Sequence, residues 1–476
     1  MRRQLHFLLT VLLIGLVLPL WGQSPWSLID CVEYARENSL IMKQAELGIQ
    51  QSEVNLKRQK NSRYPSLNAT ANGGAQLGRT IDPTTNSFDN NTIYYNSFGL
   101  NAGIMLYNGG SINHAIEQSR YNLEASKLDA DAAFNSMALS IASSYLQILL
   151  SREQVENASR QLEQSLALFD QTDKLVKAGA LAENERITID AQVALNEQNL
   201  IQAENALESS YLLLRQLLEL DPSEPFQIER PSVSVPVTNP DELSWQEVYV
   251  AALGTQPQIE AGEMRMASAE ESYYQARALS LPTVTLFANL NSNWSSLGKN
   301  IDGYQTEFFP FLLKQPDGTL LDFEVGQEVP LLVNNPYFNQ LGENFGQTVG
   351  LNLSIPLYNG SRTKLTQQEV QIGVLSAKVA NDQTEQQLQS DVQRAVNDAK
   401  AGKRSYDAAQ RALDASQAAF NNAEKRFQIG NLNTYEYTLA KTNLDSAQLS
   451  FTQAKFQYIF ALKVIDFYLG RPMTLD

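Results

Sequence analysis

Leu106-Tyr107-Asn108-Gly109-Gly110 recurs 251 positions later as Leu357-Tyr358-Asn359-Gly360-Ser361. In both places an alternating apolar stretch runs up to the tyrosine, and a very long helical pattern begins after the glycine. Asn and Gly suit a chain that turns sharply out of a strand. Gly179, in Lys177-Ala178-Gly179-Ala180-Leu181, matches Gly430, in Gln428-Ile429-Gly430-Asn431-Leu432, at the same shift of 251. A repeat of this length dictates the reading of everything between its landmarks. The chain therefore reads as an internal two-fold repeat, each copy joining a strand pair to a helical hairpin.

The helical part is the more restrictive half of that unit. Residues 111–177 contain no glycine and no proline. At 1.5 Å per residue they span roughly 100 Å, far beyond the usual globular helix. The matching run, residues 361–428, has Gly373 and Gly402 as its weak points. Ile141, Ile148, Val155, Leu162, Phe169 and Val176 recur every seven residues, as do Val392, Ala399, Tyr406, Leu413, Phe420 and Phe427. A strict seven-residue period imposes a left-handed supercoil. The second seam, three residues on, is small: Ser144, Ser151, Ala158, Ser165 and Thr172, then Ala395, Gly402, Ala409, Ser416 and Ala423. Small side chains let helix backbones approach closely, which suits a wall of packed helices. Gly179 and Gly430 end the long helices in left-handed C′ turns, and return helices follow over 183–220 and 433–469. Residues 26–62 and 243–279 read as amphipathic helices stopped before Pro65 and Pro282.

Four strands are expected. Residues 66–74 alternate, and so do 98–107, with Phe98, Leu100, Ala102, Ile104 and Leu106 against Gly99, Asn101, Gly103, Met105 and Tyr107. In the second copy, residues 283–291 set Val284, Leu286, Ala288 and Leu290 against Thr285, Phe287, Asn289 and Asn291. Residues 349–358 set Val349, Leu351, Leu353, Ile355 and Leu357 against Gly350, Asn352, Ser354, Pro356 and Tyr358. Strands of about ten residues, apolar on one face and polar on the other, fit a transmembrane β-barrel, although a half-buried soluble strand alternates the same way. Residues 76–96 read as a loop. Residues 292–345, rich in Gly, Pro, Asn and aromatics, read as a much longer one with no structure of its own.

The first residues and the composition narrow the function. Arg2 and Arg3 precede an apolar run over residues 7–21, the layout of a secretory signal, which sets residues 1–22 apart and predicts export. No other window of about 18 apolar residues stands out, so membrane spanning is expected through strands. The repeats are then residues 23–221 and 241–476, joined by a Pro-rich linker, 222–240. Lys and Arg number 36 against 52 Asp and Glu, a net charge of −16, which argues against nucleic acid as a partner. Cys31 is the sole cysteine and reads as a packed thiol on the first helix. With the signal removed, His114 is the only histidine. Metal sites, cofactor motifs and histidine-based catalysis lack their residues, so no enzyme, metal or cofactor is expected.

Four strands cannot close a barrel, and open edges are not tolerated in lipid, so closure demands further copies of the chain. Eight strands would be filled by their own side chains, so a pore favours three chains or more. The duplication, the Leu-Tyr-Asn-Gly junctions, the small-residue heptads and the glycine turns together resemble the TolC-type outer-membrane efflux proteins, over nearly all of the chain beyond residue 22. The resemblance implies a mixed α and β membrane protein. In it a long antiparallel α-helical barrel continues a transmembrane β-barrel closed by three chains, four strands from each. It implies a homotrimer in the cell outer membrane with its helices in the periplasm. Such a protein is the passive exit duct of a tripartite efflux or type I secretion system, with a periplasmic membrane-fusion adaptor and an inner-membrane pump as partners.

By the same resemblance the adaptor docks at the helix tips, at Val176, Gly179, Leu181, Gly430 and Leu432. The periplasmic gate lies there too. Family members place a tyrosine, an arginine and aspartates around the second glycine; this chain has Phe427, Leu432, Glu436 and Leu439 at those positions. No arginine lock is therefore expected, and Glu185 and Glu436, with Phe427 beside them, become the gate candidates. Asn433-Thr434-Tyr435-Glu436 also resembles a capping box. The strand pattern assigns Asn101, Asn289, Asn291 and Asn352 to the lumen, and Leu100, Ile104, Leu351 and Ile355 to lipid. A periplasmic adaptor is a rival reading, but it would carry one hairpin where this chain has two. A coiled-coil structural protein of the envelope is another, and it leaves the strands without a role.

Overall fold

The computed structural model describes residues 25–81, 88–90, 92–221, 223, 225–231 and 239–471. The expected signal segment, residues 1–22, lies outside them, as do residues 222, 224 and 232–238 of the linker. In order, the elements are α1 (Leu28–Asn38), α2 (Leu40–Asn61), β1 (Ser66–Gln76), β2 (Ile93–Tyr107), α3 (Ser111–Lys177) and α4 (Glu183–Leu218). Then follow α5 (Trp245–Thr255), α6 (Pro257–Ala278), β3 (Thr283–Ser295), β4 (Lys299–Lys314), β5 (Leu320–Asn334), α7 (Tyr337–Glu343), β6 (Gly346–Ser354), α8 (Arg362–Gln428) and α9 (Thr434–Tyr468). Helices α3 and α8 are 67 residues each, and the return helices α4 and α9 are 36 and 35.

Two compact units interleave along the chain. One comprises residues 1–53, 122–266 and 376–476, and the other 54–121 and 267–375. The first is helical and holds two cores of parallel design. In one, Leu28, Cys31 and Ala35 of α1 pack with Ile141, Tyr145 and Ile148 of α3, Leu214 and Leu218 of α4, and Phe456 and Ile459 of α9. In the other, Val248 and Ala252 of α5 pack with Leu388, Val392, Val396 and Ala399 of α8 and with Tyr458, Leu462 and Ile465 of α9. The seven-residue seam supplies Ile141, Ile148, Val392 and Ala399, all fully buried. The small seam of α3 is buried at every position, Ser144, Ser151, Ala158, Ser165 and Thr172. At Gly402 on α8, an added Cβ would stand 3.2 Å from the Cα of Tyr458 on α9, so the small residue is what permits that approach.

The second unit holds a four-stranded antiparallel sheet in the order β1–β2–β3–β6. Strand β2 leaves it through a bulge between Met105 and Tyr107, so Leu106 departs from the alternation expected of it. The turn into α3 puts Gly109 at φ +67 and Gly110 at +86. The turn into α8 uses Gly360 at +66 and Ser361 at +63, so a serine holds the left-handed conformation that glycine takes in the first half.

Several expectations need correction. The first amphipathic run is two helices broken at Ser39, whose extended φ/ψ ends α1 while its side chain accepts from Ile41 N. The later run breaks at Gln256, because Pro257 biases the residue before it away from helix. Return helix α4 stops at Leu218 because Glu219 turns left-handed, φ 55, and its carboxylate then accepts the Leu40 N–H at the start of α2. Residues 292–345 are not an unstructured loop. They contain the β4–β5 hairpin and α7, turned at Gln315-Pro316-Asp317-Gly318, with the Asp317 carboxylate accepting from Thr319 N. In 76–96, β1 and β2 reach further than expected, and Thr80–Ile81 pairs with Phe88–Asp89. Strand β6 ends at Ser354, which leaves Ile355 beyond it. The segment after α4 is more than a spacer, since Phe226 and Ile228 are buried and Trp26 bridges to Ile228. Finally, α3 is long and apolar enough to cross a membrane by length and composition, contrary to expectation. Half of that stretch is buried, and the helix's large apolar side chains supply the first core.

Replacing Ser361 by glycine should relieve a left-handed strain and raise stability by about 0.5–1 kcal/mol, whereas Gly430→Ala, at φ +75, should lower it by about 1 kcal/mol. Thermal unfolding of the two variants reads both signs.

Candidate functional site: the sheet faces and the hairpin tips

Strand register sorts the sheet residues. Asn68, Asn101, Asn289 and Thr348 stand opposite one another in successive strands, and so do Thr70, Gly99, Asn291 and Gly346. Met105, Thr285 and Asn352 form a third row on the same side. Opposed residues share a face, so the structure brings Asn101, Asn289, Asn291 and Asn352 together. The other face carries Leu67–Ala102–Ala288–Val349, Ala69–Leu100–Leu290–Gln347 and Ile104–Leu286–Leu351. Leu100, Ile104 and Leu351 are therefore together as well, and Ile355 is not. Leu351 and Val349 are 66% and 75% exposed within one chain, so this apolar face has no cover of its own.

Aromatic residues gather at both ends of these strands, a feature the alternation did not reveal. Tyr94 and Tyr95 of β2 lie near Trp294 of β3 at one end. There Trp294 packs 5.4 Å from Tyr337, whose hydroxyl accepts from Asn96 Nδ2 at 2.8 Å. Tyr64, Tyr107 and Tyr358 mark the other end and are exposed. On the polar face Phe287 covers Gly350, where an added Cβ would meet the ring at 2.6 Å.

The helix tips are built by two Schellman turns. Ala180 N donates to Leu175 O and Gly179 N to Val176 O; Asn431 N donates to Arg426 O and Gly430 N to Phe427 O. Gly179 and Gly430 both sit at φ +75 in open space. Val176, Leu181 and Leu432 are half-buried around them. At the first tip, Lys174 pairs with Asp170, Lys177 with Asp173 and Arg186 with Glu183. These i,i+3 and i,i+4 pairs are local and solvent-screened, so they contribute little to stability. Glu185 has no ion pair among the described residues, and it lies in the first turn of α4, where a negative charge suits the helix dipole. At the second tip Asn433 caps α9, accepting from Glu436 N at 2.8 Å, and Glu436 is exposed.

Phe427 stacks on Tyr437 at 4.6 Å, and Tyr437 also packs 5.5 Å from Phe420. Burial pushes the Tyr437 phenol up. The Phe427 ring is thus engaged inside its own hairpin. Tyr437 was legible: with Leu444, Phe451, Tyr458 and Ile465 it repeats every seven residues on the return helix. Below it, Lys441 lies over the Phe420 ring and pairs with Asp445 at 2.7 Å. Burial raises the Asp445 carboxyl, against the pull of Lys441.

His114 is held on both sides, 2.6 Å from Glu271 through Nδ1 and stacked on Tyr274 at 5.4 Å. Those contacts make it a packing residue at the base of α3. Among the described residues no group of three or more His, Cys, Asp or Glu could hold a metal ion.

Residues 31–219 and 248–471 match the family model for outer membrane efflux proteins. The chain belongs to the outer membrane efflux protein family. The pyoverdine export outer membrane protein OpmQ of Pseudomonas putida is 26% identical over 235 residues, 48% of this chain and 47% of the relative. The Pseudomonas aeruginosa OpmQ is 27% identical over 236 residues, 48% of each. The chain spans about half the length of these relatives. Among solved structures, CusC, described in terms of transmembrane channel formation, superposes with a TM-score of 0.72 at 17% identity. That superposition covers 95% of this chain and 96% of CusC. The outer membrane protein VceC from Vibrio cholerae gives 0.72 and 17%, covering 94% and 96%. The fold is thus that of TolC-like outer membrane channels with a helical barrel, and the outer membrane is where this family member resides.

Asn433→Ala should remove a helix cap and cost about 1 kcal/mol. The mirror position, Ala182, has no side-chain cap, so Ala182→Asn should add a comparable amount. Chemical denaturation of both variants checks the pair.

Proposed function

We propose that the protein is a passive exit duct in the outer membrane, a homotrimer in which each chain gives four strands to one twelve-stranded barrel. The observation that carries this reading is the sheet β1–β2–β3–β6, with its two free edges and one uncovered apolar face. In hydrocarbon every backbone polar group needs a protein partner, so edges β1 and β6 must pair with neighbouring copies. The aromatic clusters support the same placement. From Tyr95 to Tyr107 the strand runs roughly 40 Å, which a tilt of about 45° reduces to about 28 Å, close to the apolar band between aromatic girdles. Leu100, Ile104 and Leu351 then face lipid, with Ile355 at the rim, and Asn101, Asn289, Asn291 and Asn352 line the lumen.

The element bounds support the internal two-fold repeat. The starts of α5, α6 and β3 lie 217 residues after those of α1, α2 and β1, and the starts of α8 and α9 lie 251 after those of α3 and α4. The difference of 34 residues is the net length of the hairpin between β3 and β6, which supports one unit used twice with one insertion in the second copy.

The tips at Val176, Gly179, Leu181, Gly430 and Leu432 are the docking surface for a periplasmic adaptor that links the duct to an inner-membrane pump. Substrates then pass from the pump complex to the exterior without chemistry in this chain. Glu185 is the stronger gate residue because the neighbouring tip carboxylates at Asp170, Asp173 and Glu183 are already paired. Glu436 adds a second charge per chain, and stacked Phe427 borders it. A trimer would thus ring the entrance with carboxylates and favour cations.

Leu351→Arg should cost roughly 2–4 kcal/mol near the bilayer middle and lower the yield of membrane-bound trimer, measured by native mass in mild detergent, while Asn352→Arg is tolerated. Equal tolerance of both, or a monomeric wild type, would remove the barrel. Glu185→Gln with Glu436→Gln should reduce cation selectivity in single-channel recordings; unchanged selectivity would end the gate assignment.

A further inference from the structure

The hairpin β4–β5 has features that a connecting loop does not need. Its strands are 16 and 15 residues long. Pairing of Phe309 with Val325, Phe311 with Phe323 and Leu313 with Leu321 puts six apolar side chains on one face near the turn. Each is between 44% and 51% exposed, and the Phe311 and Phe323 rings lie 5.5 Å apart. The opposite face mixes Phe308 and Leu312 with Asp322, Glu324 and Glu328. An isolated two-stranded ribbon is marginal in water, so this apolar face requires a cover.

The edges and the base limit what that cover is. Pro310 and Pro330, one on each strand, lack the N–H that a strand added to either edge would need. Association must therefore be face to face. The base is held firmly. The Gln340 side chain, buried in α7, accepts from Ser295 N at 3.0 Å and donates to Ser295 O and Asn335 O. Asn344 Nδ2 donates to Asn293 O, and Ser292 Oγ to Leu341 O. An added Cβ at Gly298 would meet Gln340 at 2.4 Å. The hairpin thus leaves β3 from a clamped root, so every copy presents it the same way. The carboxylates on its other face, in a chain of net charge −16, disfavour an anionic lipid surface as the cover.

We propose that the face formed by Phe309, Phe311, Leu313, Leu321, Phe323 and Val325 packs against the same face of the other copies in the assembly, making a shared apolar collar on the external side of the pore. The proposal rests on the duct reading, since it needs several copies around one axis. Identical roots in a closed ring bring identical faces to that axis, and the acidic faces then point outward to water. The collar is incomplete in one chain because each copy supplies one wall of it.

Site-specific crosslinking tests this in the full-length protein. Cys31 is fully buried, and its thiol is pushed up to about 12, first by burial and then by the charge of Asp30, so the wild type supplies no competing thiol. Phe311→Cys and, as a second probe in case the first misfolds, Val325→Cys are oxidised with copper–phenanthroline in the native particle. Glu324→Cys, on the opposite face, is the control. The expected result is roughly ten-fold more covalent pair from the apolar-face variants than from the control, because only they bring two thiols within disulfide reach. A native trimer in which F311C and V325C form no more pair than E324C overturns the collar and leaves the duct standing. In that case, reaction with a membrane-impermeant maleimide would mean the face is bare, and protection from it would mean lipid or another protein covers it. A monomeric particle overturns the duct and the collar together.

Discussion

The edges of one four-stranded sheet set the terms for this molecule. Strands β1 and β6 each use one side in the ladder and pair with no further strand on the other side among the described residues. In water such edges would be a liability for aggregation; in hydrocarbon each unpaired group costs several kcal/mol. The alternation of these strands makes hydrocarbon their natural surroundings on one side, since Val349 and Leu351 at the β6 end of that face are uncovered. In the proposed barrel that one physical demand, that backbone polar groups be satisfied, is met by pairing these edges with further copies.

The helices answer a different demand. Their turn-by-turn hydrogen bonds are internal, so their problem is lateral packing over 67 residues. Seams of serine, alanine, threonine and glycine solve it by letting backbones close in, as at Gly402 against Tyr458. Polar atoms also pair across helices, Ser151 with Ser210 and Asn196 with the Gln161 carbonyl. The larger seam residues gather in two cores of matching layout. Left-handed turns join these two styles of structure, and the second half tolerates a serine at one of them; in the first half a glutamate, Glu219, takes the same conformation where α4 ends. Glu219 gains something for its strain, because its carboxylate caps α2.

Much of this was legible. Helix α3 was bounded correctly because nothing in 111–177 interrupts it and a glycine with left-handed φ stops it. The four strands were legible because each alternates over most of its length, although β2 bulges at Leu106 and the last one ends at Ser354. The breaks at Ser39 and Gln256 were missed, since a single extended residue barely disturbs a helical period, although Pro257 was a visible signal. The β4–β5 hairpin was missed for a different reason. Its faces are both partly apolar, which erases the alternation, and the Pro-Asp-Gly turn that marks it was read as loop composition. Of the site residues, the four asparagines fell on one face as expected because register in an antiparallel sheet follows from alternation. Phe427 did not stand free, because its partner Tyr437 comes from the facing helix.

The sequence by itself determined the periods: seven along the helices, two along the strands, and the glycine turns between them. These are local properties, set by side-chain size and backbone freedom within a few residues. Only the tertiary structure decided which periodic faces meet. It set the order β1–β2–β3–β6, brought the Glu219 carboxylate onto the start of α2, and raised an ordered hairpin where composition suggested slack. Those outcomes depend on contacts between residues far apart in the chain, and no local pattern encodes which distant partner will close a given face.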